Sequence, residues 1–132
     1  MIVIDASALI AFLLREEGWR SIAQYMVQTM SIDHVLKEFY NALWKSINVK
    51  KYVSSSDAVK ILDLLHSYVD KNMLIEPEEL YLNKAFEIAL NHNITVYDAL
   101  YIAQAHHHNK PLLTLDQKQR EVANKLGIKT IP

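Results

Sequence analysis

The chain has 132 residues, enough for one domain that buries roughly two-thirds of its unfolded surface. Apolar residues make up 51% and the net charge is -1, which excludes a disordered chain and a strongly basic scaffold that holds nucleic acid by charge alone. There is no cysteine, so disulfides and thiolate metal sites are excluded, and any metal must sit on oxygen or imidazole.

Met1 to Ile4 is a short apolar run that ends at Asp5 and reads as a buried strand. Ala6 to Arg15 has helical character, and Gly18 breaks it. The longest unbroken apolar run, Ala8 to Leu14, has seven residues, against about 20 for a membrane span. No basic region precedes it, so no signal peptide is expected, and the protein is expected in the cytoplasm with no membrane attachment. Trp19 to Thr29 is predicted helical, and Met30 to Asp33 a second strand. Val35 to Val49 is a helix with apolar residues at 35, 39, 42, 43 and 47. Ser54-Ser55-Ser56-Asp57 opens another, running to Asp70. Met73 to Glu76 is strand-like and closed by Pro77, and Glu79 to Asn91 is helical. Thr95 opens a helix to His108, which ends in three histidines suited to a helix C-terminus. Pro111 to Leu115 is an apolar strand ending in Asp116, Lys118 to Leu126 a helix stopped by Gly127, and Ile128 to Ile131 a last strand. Strands alternating with helices predict a parallel sheet covered on both faces.

Ligands in such sheets bind beyond the carboxyl ends of the strands, where strand order reverses. Asp5 and Asp116 each follow an apolar strand, so both are expected on that edge. At about 100° per residue, Glu38 lies about 40° from Ala42 and 60° from Val35, on the border of its helix's apolar stripe. Asp98 shares a face with Tyr101, Ile102 and Ala105. Inward carboxylates repel one another unless a cation joins them, and oxygen donors suit Mg2+ or Mn2+. Each acid also has a plainer reading. Asp5 and Asp116 suit helix N-caps, Thr95 and Asp98 match a capping box, and Glu38 stands beside Lys37 and Lys45 at an amphipathic edge.

These segments resemble a known family. Ile-Val-Ile-Asp5-Ala-Ser7-Ala-Leu is similar to the first motif of PIN domains, VapC-type toxins in particular. Val35-Leu-Lys-Glu38-Phe-Tyr-Asn41-Ala-Leu resembles the second, Thr95-Val-Tyr-Asp98-Ala-Leu-Tyr-Ile-Ala the third and most specific, and Leu112-Leu-Thr114-Leu-Asp116 the fourth. The four occur in order across nearly the whole chain. The resemblance implies one PIN domain over residues 1–132: a three-layer α/β fold with a parallel sheet of about four or five short strands flanked by about seven helices. It implies metal-dependent RNA cleavage, with Asp5, Glu38, Asp98 and Asp116 holding Mg2+ or Mn2+, and Ser7 and Thr114 as hydroxyls that orient an acid or a water. Some relatives carry a further acid after the fourth motif. Gln117-Lys118-Gln119 follows here, leaving a second ion to substrate phosphate. A small antitoxin of VapB type and a homodimer are the partners implied.

For RNA contact the candidates are Lys45, Lys50 and Lys51, then Lys118 with Arg120, although solvated helix faces explain both groups. Trp44, Tyr40, Tyr97 and Tyr101 suit base stacking or packing, and the early helices suit an antitoxin groove. A haloacid-dehalogenase-type phosphatase wants a second Asp where Ser7 stands, and a receiver domain wants an acid pair after the first strand. The remaining alternative is a catalytically silent PIN-like module that binds RNA or protein.

Overall fold

The computed structural model describes residues 1–132. Five strands form one sheet: β1 (Ile2–Ile4), β2 (Thr29–Ile32), β3 (Met73–Glu76), β4 (Leu112–Leu113) and β5 (Thr130–Ile131). Every pair is parallel, in the order β3-β2-β1-β4-β5. Seven helices connect them: α1 (Ala6–Leu14), α2 (Trp19–Ile22), α3 (His34–Asn48), α4 (Ser55–Asn72), α5 (Leu82–His92), α6 (Val96–His108) and α7 (Gln117–Lys125). The expected three-layer α/β fold is therefore present.

From β1 the chain moves outward through β2 to β3, then crosses back to β4 on the other side of β1. Right-handed crossovers put the helices of the two directions on opposite faces. Accordingly α1 packs on α3 and α4, while α6 packs on α5 and α7. Order reverses between β1 and β4, whose register pairs Val3 with Leu112 and Ile4 with Leu113. Asp5 and Asp116 thus leave the sheet at the same edge, at the switch point.

Helix α6 runs through the interior, with every residue from Ala99 to Ala105 buried. Apart from Gln104 that stretch is apolar on all sides, because it packs on the sheet and on two neighbouring helices. Buried Val3, Ile4, Leu112 and Leu113 join Phe39 of α3 and Tyr101 of α6 in one continuous core. Buried Gln104 donates to the Ser31 carbonyl and to Glu76, tying α6 to β2 and β3.

The stretch Trp19–Thr29 differs from its expectation. Only Trp19–Ile22 is α-helical; a 3-10 turn covers Ala23–Tyr25, and Thr29 already belongs to β2. Tyr25 and Val27 are exposed, so no apolar stripe continues the helix, and the Thr29 hydroxyl bonds Tyr68 and the Asn72 carbonyl. A second 3-10 turn, Glu78–Tyr81, precedes α5. The histidine triplet also has a more specific explanation than the helix dipole. His108 and Tyr81 both bond Glu76 Oε1, and His107 meets the Tyr81 ring edge-on. Burial pushes the Glu76 carboxyl up, but hydrogen bonds from Tyr81, Gln104 and His108 outweigh it and hold the group below its ordinary value. No helix is long and apolar enough to cross a membrane.

Candidate active site

Asp5 ends β1 and caps α1. Its Oδ1 accepts from the Ala8 N–H at 3.0 Å and from Ser7 Oγ at 2.7 Å, and its Oδ2 accepts from Thr114 Oγ1 at 2.6 Å. The carboxyl is 1% exposed. Burial raises its pKa to about 6 against the pull of those three donors, and the neighbouring Asp116 charge adds to the rise. The two hydroxyls spend their single protons on Asp5. Ser7 Oγ accepts from the Leu115 N–H and Thr114 Oγ1 from the Asp116 N–H, so the 3.4 Å approach between the hydroxyls has no proton to share.

Asp116 caps α7 through the Gln119 N–H, 2.8 Å from its Oδ1. The Gln119 side chain reaches back across α7 to Asp98 Oδ1, at 3.1 Å. In α6 Thr95 accepts from the Asp98 N–H at 3.2 Å; the return bond of a capping box is not made, and the Asp98 carboxylate turns to Gln119 instead. Glu38 of α3 accepts from Tyr101 Oη at 2.5 Å, a bond that joins the two helical layers beyond the strand ends. Burial raises the Glu38 pKa, the Tyr101 bond opposes the rise, and the Asp98 charge adds to it. Tyr101 is itself held protonated, first by burial and then by Glu38.

The four predicted acids therefore form a row at one edge of the sheet. Thr114 joins Asp5 to Asp116, Gln119 joins Asp116 to Asp98, and Asp98 faces Glu38 across a shared cleft of about 390 Å³ lined also by His34, Thr95 and Tyr97. Ser7 and Thr114 both stand on Asp5. The N-cap reading holds for Asp5 and Asp116 at the same time, because a cap occupies one carboxylate oxygen.

His34, Gln119 and Arg120 have roles that sequence reasoning did not assign. His34 stacks on Tyr97, with ring centroids 4.9 Å apart, and its Nε2 lies 3.3 Å from Glu38 Oε1. Burial and then Lys37 lower its pKa against the pull of Glu78 and Asp33. The signal was the i, i+4 spacing to Glu38. Arg120, grouped above with Lys118 as a possible RNA contact, donates to the Thr114 carbonyl at 2.6 Å and to that of Pro132. Lys45, Lys50 and Lys51 are exposed. Of the four aromatic candidates Tyr101 is core, while Tyr97, Tyr40 and Trp44 are exposed.

A divalent cation fits the donor chemistry of the row. All the donors are carboxylate oxygens, and one oxygen each of Glu38, Asp98 and Asp116 takes no hydrogen bond. As the side chains stand, no three of them converge tightly enough to hold an ion between them. An ion held by a set spread in this way would keep much of its water.

Thr114→Val tests the first link of the row. The isosteric change removes a donor from a buried carboxylate, so the Asp5 pKa, already about 6, is expected to rise further. Carboxyl-carbon NMR titration reads it directly, and an unmoved or lower midpoint contradicts the assigned bond.

The PIN domain family profile matches residues 2–125. Ribonuclease VapC3 of Pyrobaculum aerophilum is 32% identical over 123 residues, covering 91% of this chain and 92% of the relative. Among solved structures, PAE2754 from Pyrobaculum aerophilum superposes with a TM-score of 0.73 at 23% identity, covering 98% of this chain and 82% of that one. FitAcB from Neisseria gonorrhoeae gives 0.66 at 17% identity, covering 100% and 97%. At those identities the two structures speak for the fold alone.

Proposed function

This chain belongs to the PIN-domain family, and from that premise we propose that it is a divalent-cation-dependent ribonuclease, the toxin of a VapBC-type pair. The observation that carries the reading is the row of four carboxylates at the β1–β4 switch point, supported by the similarity to a ribonuclease over nearly the full length.

In this proposal Asp5, Glu38, Asp98 and Asp116 bind Mg2+ or Mn2+ with the scissile phosphate. The cation supplies positive charge at the phosphate and acidifies water near it. Asp5 is the fixed member, its three donors leaving it little freedom to turn. Ser7 and Thr114 orient it, and Tyr101 does the same for Glu38. The attacking water's oxygen bonds to phosphorus and gives up a proton, the bridging P–O bond breaks on the opposite side, and the departing oxygen takes up a proton, so that one water is consumed for each bond cut. Exposed Tyr97, backed by the stacked ring of His34, offers a face for a base of single-stranded RNA at the cleft that Glu38 and Asp98 share.

An antitoxin partner belongs to the same proposal. Phe12 and Leu13 of α1, with Leu64 and Tyr68 of α4, line a cleft of about 370 Å³ whose rim carries Arg15 and Lys71, a seat for an apolar segment with acidic flanks. Homodimer formation is proposed as well; Leu82, Phe86 and Leu90 are exposed along one face of α5. RNA as substrate puts the site of action in the cytoplasm.

The test is cleavage of mixed single-stranded RNA by the purified chain in Mg2+ or Mn2+, in chelator, and after the ion is restored, beside Asp116→Asn. Cutting that needs the ion and is lost in the variant is expected. Cutting that survives chelation removes the cation from the reading. Binding without cutting makes the chain a silent module, and phosphate release from small esters makes it a phosphatase.

A further inference from the structure

Gln119 is 3% exposed in the first turn of α7. Its main-chain N–H is given to Asp116 Oδ1 at 2.8 Å and its Nε2 to Asp98 Oδ1 at 3.1 Å. The Asp98 bond fixes which way the amide faces, because the flipped amide sets its carbonyl oxygen against a carboxylate oxygen. The carbonyl oxygen Oε1 is then left buried with no donor. Buried polar atoms without partners are rare because each costs stability. A leucine fills about the same volume without that cost, so packing alone does not account for an amide here.

The surroundings of Oε1 say what kind of group completes it. The amide's Nε2 rests on Asp98 and the residue's main-chain N–H on Asp116, and neither contact supplies Oε1 with a donor. A donor must arrive from outside. Water carried by a divalent cation is a strong donor, and a cation is what neighbouring carboxylates attract.

We propose that Gln119 is a positioning residue of the cation site: its two donors hold Asp98 and Asp116 as a pair, and its unpaired carbonyl oxygen accepts a hydrogen bond from the hydration water of a divalent ion bound there. The inference rests on the reading of the acid row as a cation site. An amide suits the task better than a fifth acid, since it adds an acceptor without adding to the repulsion of the ion-free row. Groups that orient ligands in this way change metal affinity by about 10- to 100-fold.

The experiment is Mn2+ titration of the parent, Gln119→Leu and Gln119→Glu, with free Mn2+ read by electron paramagnetic resonance and Tm measured in chelator. Gln119→Leu is expected to weaken Mn2+ binding at least about 10-fold while melting no lower than the parent in chelator. Gln119→Glu, which keeps an acceptor but loses the donor to Asp98, is expected to melt lower in chelator and to regain Tm when the ion is added. Parent-like Mn2+ affinity in Gln119→Leu overturns the proposal and leaves the cation site standing. A lower Tm in chelator for Gln119→Leu assigns the amide to α6–α7 packing and also overturns it. Should Gln119→Leu fail to fold, Gln119→Met, an unbranched side chain without the amide, decides: Mn2+ affinity equal to the parent's overturns the proposal. A parent that binds no Mn2+ overturns both this inference and the reading it rests on.

Discussion

Asp5→Asn is expected to lower RNA cleavage about 10²–10³-fold and, in chelator at pH 7, to make the fold more stable by about 3 kcal/mol. The second effect follows from the carboxyl's surroundings. Its pKa rises from the ordinary 3.8 to about 6 because burial and the Asp116 charge outweigh three hydrogen bonds. The folded state therefore holds the Asp5 proton more tightly than the unfolded chain does. Its contribution is complete below about pH 4 and is lost as pH rises through about 6. Asparagine keeps an oxygen for the Ala8 N–H and Ser7 and removes the charge. Its new N–H can be given to Thr114 Oγ1, whose own proton is then free for Ser7, 3.4 Å away. Denaturant unfolding of both proteins from pH 4 to pH 8 in chelator checks this. The parent's stability should fall relative to the variant across that window, with the difference levelling off above about pH 7. A variant less stable than the parent at pH 7 means that capping of α1 outweighs charge burial, contrary to the pKa argument.

Tyr101 should give the largest loss of stability in the site. Tyr101→Ala opens a cavity in the centre of α6, expected to cost roughly 3–5 kcal/mol. Tyr101→Phe keeps the ring and removes only the hydroxyl that bonds Glu38 at 2.5 Å, for about 1–3 kcal/mol. Because that hydroxyl opposes the upward shift at Glu38, the phenylalanine variant should titrate Glu38 higher still. Chemical denaturation measures the two costs, and carboxyl-carbon NMR measures the midpoint. An unchanged Glu38 midpoint in Tyr101→Phe removes Tyr101 from the site and leaves it as core.

The acids at the strand ends were legible because a buried apolar run must stop at a polar residue, and Ile2-Val3-Ile4 and Leu112-Leu113 stop short of Asp5 and Asp116. Glu38 and Asp98 were legible by helical phase, each at the edge of an apolar stripe. Trp19–Thr29 was misread because eleven residues with no glycine or proline look like one helix, although Tyr25 and Val27 break its apolar face. Gln119 was hidden by its polar neighbours Gln117, Lys118 and Arg120, which look like a solvated surface. Its phase gave the missing signal: 119, 122, 123 and 126 share one face of α7, and the other three are apolar. Arg120 could not have been placed from local pattern, since its partners are carbonyls made available only by the sheet.

The pairing of β1 with β4 sets a timetable for the growing polypeptide. Of the two hydroxyls that bond Asp5, that of Thr114 lies 109 positions further along the chain, and Asp98 meets its partner only after residue 119 has been made. A nascent chain that has folded α1 through α5 holds Asp5 and Glu38 but neither Asp98 nor Asp116. A nascent chain that has not yet extended past residue 119 therefore cannot complete the row of acids, however well its first layers have folded.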